Sequence, residues 1–121
     1  MIGHGDWHTG NLRWVANRLL SVWDWDSVIV APEPVIAGLA AAVYPVTSAG
    51  SESTVEESDQ FLRAYEDARG RTFSKDELEV AWAAGLWNRV FDAKKQFAVE
   101  GSIRSLNEIE ARDRLGRAGL L

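Results

Sequence analysis

Residues 75–99 constrain the fold of this chain more than any other stretch, because they are apolar on two sides at helical spacing. Leu78, Trp82, Leu86, Val90, Ala93 and Phe97 form one stripe, and Val80, Ala84, Trp87 and Phe91 form a second. Residues three and four apart share a helix face, so one stripe predicts a surface helix and two predict a helix enclosed by others. Trp82 and Trp87 are therefore expected in the core. Ser74 and Glu77 read as a capping box, with Phe73 and Leu78 as its hydrophobic staple, and Gly101 is expected to end the helix.

The rest of the chain supplies helical partners. An Ala-rich apolar segment, 33–43, is stopped before Pro45. A helix over 54–69 puts Phe61, Leu62, Tyr65 and Ala68 on one face and ends at Gly70. A mainly polar helix over 106–117 is expected at the periphery. Ser53-x-x-Glu56 and Ser105-x-x-Glu108 repeat the capping-box spacing, and 47–53 reads as a Ser/Gly loop. Before all of these, 11–15 and 19–25 read as two strands joined through Ala16-Asn17-Arg18. The expected fold class is α+β, mainly α: a short β-hairpin leading into a helical bundle. The 121 residues fit one domain, divided into a loop and hairpin over 1–28 and a helical part over 33–121.

Composition removes several function classes. The net charge is −5 with 13 basic residues scattered along the chain, whereas nucleic-acid binding needs a concentrated basic face. With no cysteine there are no disulfides and no thiolate metal site. The longest apolar stretch, 35–46, is interrupted by Gly38 and Pro45 and is too short to span a bilayer. The residues after Met1 carry neither a basic nor an apolar leader region, so a cytoplasmic protein is expected.

The chemistry concentrates in His4-Gly5-Asp6-Trp7-His8-Thr9-Gly10-Asn11 and Trp23-Asp24-Trp25-Asp26. Phosphoryl transfer from a nucleotide asks little covalent chemistry of a protein. It needs one carboxylate to orient the acceptor hydroxyl and take its proton, and a few oxygen ligands for magnesium. Asp6 supplies the carboxylate and Asn11 an amide oxygen, and the strand pair returns the chain to deliver Asp24. The spacing His-x-Asp-x-x-x-x-Asn is that of a kinase catalytic loop.

This pattern resembles the aminoglycoside phosphotransferase and choline kinase superfamily, which shows His-Gly-Asp-x-x-x-x-Asn and then an Asp after an apolar strand. The resemblance covers about residues 2–28. It implies Asp6 as catalytic base, His4 as a brace for the loop, Asn11 and Asp24 as magnesium ligands, and Asp26 near the metal. It further implies a kinase-like C-terminal lobe, ATP or GTP as donor with Mg2+, and a small-molecule hydroxyl as acceptor. Members carry a long preceding lobe with a nucleotide-covering loop and a lysine. Here the motif starts at residue 4, and Lys75, Lys94 and Lys95 lie downstream. The chain is therefore expected to lack the nucleotide-binding N-terminal lobe. It is expected to be a poor or inactive phosphotransferase alone, acting with a lobe in trans or by self-association.

Two other readings use the same residues. His4, Asp6 and His8 could belong to a metallophosphoesterase, but two-metal sites need more ligands than a chain with two histidines supplies. A non-catalytic remnant or interaction module of the same fold is the other. Trp7, Trp14, Trp23 and Trp25 fit packing better than an adenine platform, and His8 fits a local loop bond. Without its partner lobe the hairpin would leave some of these tryptophans exposed, favouring self-association.

Overall fold

The computed structural model describes residues 1–45 and 52–121. It opens with strand β1 (Ile2–His4), a 3-10 turn at Thr9–Asn11, and strands β2 (Leu12–Val15) and β3 (Arg18–Val22). A second 3-10 turn, Trp25–Ser27, leads into strand β4 (Val28–Val30). The strands pair antiparallel as β2 with β3 and as β1 with β4, the latter in the register Ile2↔Val30, Gly3↔Ile29 and His4↔Val28. The β2–β3 hairpin lies where the sequence puts it. Its two-residue turn sets Ala16 and Asn17 at φ 47 and 61, the left-handed pair that matches strand twist, which suits Asn better than Ala. The second strand stops at Val22 rather than reaching residue 25.

Among the described residues four helices follow: α1 (Glu33–Val43), α2 (Val55–Arg69), α3 (Lys75–Glu100) and α4 (Glu108–Arg117). The Ser74–Glu77 box caps α3, and Gly70 and Gly101 close α2 and α3 with φ of 63 and 73. Two starts differ from expectation. The box of α2 is Thr54–Glu57, one residue beyond Ser53–Glu56, and α4 is capped by Asn107, whose side chain accepts from the Glu110 N–H. In both cases the serine N–H, which the box's glutamate would have to accept, is engaged elsewhere, and the hydroxyl is buried without a partner among the described residues. Ser53 donates its N–H to the Ala42 carbonyl at 3.0 Å, and Ser105 donates its N–H to Gln96 Oε1 at 3.0 Å. The Ser/Gly loop expected over 47–53 lies mostly outside the described residues.

The core is helical: Ala37, Ala41, Val55, Leu62, Phe73, Ala81, Trp82 and Ala118. At its centre α1 crosses α3 backbone to backbone. A Cβ on Gly38 would lie 2.0 Å from the Ala81 carbonyl oxygen, and one on Gly85 would lie 3.0 Å from the Gly38 oxygen. Side chains of any size would push these helices apart.

The two-stripe pattern of α3 is only half used. At about 1.5 Å per residue α3 runs to about 39 Å, while α1 runs to about 16 Å, so the later turns of α3 extend past their partner. Trp82 is buried, but Trp87 is 62% exposed, and Val90, Phe91 and Phe97 are exposed with it. The expectation of Trp87 in the core is corrected: it stands beside Leu39 of α1, two residues past the Gly85–Gly38 contact, but on the solvent-facing side of α3, as does Val80.

The last helix is docked rather than peripheral. Arg114 is fully buried, and donates to Glu110 Oε1 at 2.8 Å, to the Ser53 carbonyl at 2.7 Å and to Ser58 Oγ at 3.2 Å. Arg89, buried on α3, donates to the same Glu110 oxygen at 3.0 Å. Burial pushes the Arg114 guanidinium below the ordinary arginine value, and the Glu110 carboxylate opposes that shift. The Arg114 and Arg117 guanidiniums lie 5.8 and 4.8 Å from the centroid of the Trp82 ring. The class is thus α+β and mainly helical, and among the described residues no helix is long and apolar enough to cross a membrane.

Candidate active site

The site is built on the loop between β1 and β2, held down at several points. His4, at the end of β1, is buried; its Nε2–H donates to the Trp23 carbonyl at 2.7 Å, and its Nδ1 accepts the Asp6 N–H at 3.2 Å. These two bonds together select the neutral Nε2–H tautomer. The edges of Trp7 and Trp25 meet the imidazole at 6.2 and 5.1 Å. Gly5 donates its N–H to the Ser27 carbonyl at 2.7 Å. A Cβ at Gly5 would sit 2.8 Å from that oxygen and 2.9 Å from Ile29 Cγ2, so the loop passes β4 at a distance only glycine allows. Thr9 donates its N–H to the Tyr44 carbonyl at 2.8 Å, fastening the loop to the end of α1.

The candidate residues are joined through this frame. The Asn11 side chain donates from Nδ2 to the Asp6 carbonyl at 3.0 Å, and the Asn11 carbonyl accepts the Trp23 N–H at 2.8 Å. His4 and Asn11 thus both grip Trp23, the residue before Asp24. Asp24 takes a left-handed backbone, φ 63, at the start of the second 3-10 turn, and its exposed carboxylate makes no capping bond there. Asp6 is half-exposed, with Oδ2 3.4 Å from His8 Nε2. His8 Nδ1 accepts the Gly10 N–H at 3.0 Å, which leaves the ring proton on Nε2, facing Asp6.

A carboxylate and an amide oxygen suit a hard cation that keeps most of its water. The Asn11 bond through nitrogen leaves Oδ1 as the amide's cation donor, and Asp24 is open to solvent. These residues fit magnesium in donor type. Among the described residues no three or more His, Cys, Asp or Glu side chains gather as a metal cluster; the expected set includes an amide and is of another kind.

Cavities lie on either side of the loop. One of about 350 Å³ is walled by His4, Trp7, Trp25, Ile36, Phe61 and Tyr65. Another, of about 410 Å³, holds Asp6 together with Asp26, and α3 contributes Trp87 and Asn88 to its wall. Sequence reasoning did not find Asn88 or Trp87 as site residues. They are some 80 positions from Asp6, and nothing local distinguishes them from neighbouring helix residues. Asp26, expected near the metal, lines this cavity with Asp6, while Asn11 and Asp24 are not among its lining residues.

The fold and the loop define a mainly helical α+β protein with a half-exposed carboxylate in a braced loop. Comparisons with protein-family models, with characterised proteins and with solved structures gave no match to this chain.

Proposed function

We propose that this chain is the catalytic portion of a small-molecule phosphotransferase, with a fold like the C-terminal lobe of the aminoglycoside phosphotransferase and choline kinase superfamily. The observation that carries this reading is the hydrogen-bonded frame that ties Asp6, Asn11 and the Trp23–Asp24 corner together through His4. In the proposed reaction an Asp6 oxygen takes the proton of the acceptor hydroxyl. The freed oxygen bonds to the γ-phosphorus of ATP or GTP, and the bond from that phosphorus to the β–γ bridging oxygen breaks, leaving the nucleoside diphosphate. Asn11 and Asp24 would hold Mg2+, which when bound neutralises phosphate charge. His4 keeps the Asp6 backbone fixed, and the His8 Nε2–H helps hold the carboxylate in place. The nucleotide and magnesium pools of the cytoplasm suit such an enzyme.

A second reading, an interaction module that receives a partner lobe or a second copy, is favoured by one observation. Ile2, Trp14, Leu20, Trp23, Trp25 and Val30 are all exposed on the strand-bearing half, more apolar surface than a solvated face needs.

Titration of the chain with Mg2+ and ATP, followed residue by residue in amide NMR spectra, tests the primary reading. Shifts are expected at Asp6, Asn11 and Asp24, dependent on the metal and lost in Asp24→Asn. Phosphoryl transfer to a hydroxyl, with or without a complementing lobe, should vanish in Asp6→Asn. Metal-independent shifts, or an Asp6→Asn protein as active as the parent, sink the reading. Concentration-dependent sedimentation without any nucleotide response would favour the module.

A further inference from the structure

The cavity that holds Asp6 does not end there. Its wall shares Leu39 and Trp87 with a second cavity of about 410 Å³, whose other lining residues are Val35, Val80, Ala83 and Ala84. The two cavities therefore adjoin at Leu39 and Trp87, and their far ends differ in chemistry. At one end are the carboxylates of Asp6 and Asp26 with the carboxamide of Asn88, and among the described residues no cationic side chain lines it. At the other end every lining residue is apolar. Trp87 lies at the join, and its ring stacks on Phe91 at 5.5 Å with an interplanar angle of 10°. The stack holds the indole in one orientation while leaving it largely open to solvent, so a ligand meets a prearranged platform rather than a mobile side chain.

We propose that the two cavities form one groove, the acceptor subsite, and that it takes an uncharged or cationic hydroxyl compound bearing an apolar arm. The hydroxyl lies at Asp6 and the arm runs over Leu39 and Trp87 toward Val80 and Ala84. The assignment of the hydroxyl end rests on the phosphotransferase reading; the groove and its apolar end do not. An anion is disfavoured by the two carboxylates. A hydrophilic polycation without an apolar arm would leave half the groove wet and unmatched, so the geometry points away from it.

Straight-chain primary alcohols from butanol to octanol, titrated into the chain and followed through the Trp87 indole N–H and the Asp6 amide in NMR spectra, provide the test. Each added methylene is expected to tighten the dissociation constant about fourfold until the groove is filled. Trp87→Ala should weaken octanol binding about tenfold. Val80→Asp, at an exposed position, should abolish the chain-length increment while leaving the fold intact. Affinity independent of chain length overturns the proposal, as do shifts centred on Trp7 and Phe61 in place of Trp87. If the alcohols bind as described while Mg2+ and ATP give no response at Asn11 and Asp24, the groove stands and the phosphotransferase reading fails. If Mg2+ and ATP give that response while alcohol binding ignores chain length, the phosphotransferase reading stands and the acceptor groove fails.

Discussion

His4 donates through Nε2 to the carbonyl of Trp23 at 2.7 Å across 19 residues of chain, and that bond closes the loop system on itself. The same ring receives the Asp6 N–H at its other nitrogen. One buried imidazole therefore fixes both the residue before Asp24 and the backbone of Asp6.

Replacing it should loosen the site more than the fold. His4→Ala takes the partner from a part-buried carbonyl and a part-buried amide, at about 1–3 kcal/mol in urea denaturation. Amide exchange at Asp6 and Trp23 should accelerate more than exchange in α3. Equal acceleration throughout would show that the ring stabilises the whole chain and not the loop.

Gly38 tests the helix crossing. With 2.0 Å between a built Cβ and the Ala81 oxygen, Gly38→Ala should destabilise by about 3 kcal/mol or more, because both neighbours are backbone-locked helices. Gly70→Ala is the control. It meets nothing within 4 Å but holds φ 63, so its loss should be about 1–2 kcal/mol from conformation alone. Denaturation midpoints of the two variants should differ in that order.

Arg114→Met should cost about 3 kcal/mol by the same measurement. Removing one member of a buried charge network weakens the rest: the Ser53 carbonyl loses its guanidinium donor, and Glu110 is left with Arg89 alone. A double variant, Arg114→Met with Glu110→Leu, should lose more than the single one, because it leaves buried Arg89 without its carboxylate.

Acid should release the contact between α1 and α2. Arg69 donates to Glu33 at 2.8 Å, as does the Tyr65 hydroxyl, and these bonds hold the Glu33 carboxyl below its ordinary value. A depressed carboxyl contributes stability that is complete above the unfolded value, about 4.3, and is lost as pH falls through the lower folded value. Glu33→Gln should therefore lower the melting temperature at pH 7 and lie closer to the parent at pH 3. A constant gap across that range would refute the assignment.

Local signals announce the helices well. Pro34 with the stop before Pro45 marks α1 at 33–43, and Ser74–Glu77 marks α3. The other caps are ambiguous for a reason the chain shows: Ser53 and Thr54 both stand three residues before a glutamate. Only tertiary bonds choose between them, Ala42 and Arg114 occupying the Ser53 backbone. The β1–β4 pair is not legible, since each strand has three residues and the two are separated by the whole hairpin. The exposure of Trp87 depends on which of the two apolar faces of α3 the other helices cover, which no pattern within α3 encodes. Of the site, the loop residues are legible from spacing. The wall contributed by α3 is not, because it depends on how a helix that begins some 45 positions beyond β4 lies against that strand.

The crossing at Gly38 and Gly85 concentrates cohesion among the helices, while the loop bearing Asp6 rests on two three-residue strands. Mutational drift in the loop or hairpin would leave the helical scaffold standing. New specificities could be tried there without first endangering the architecture.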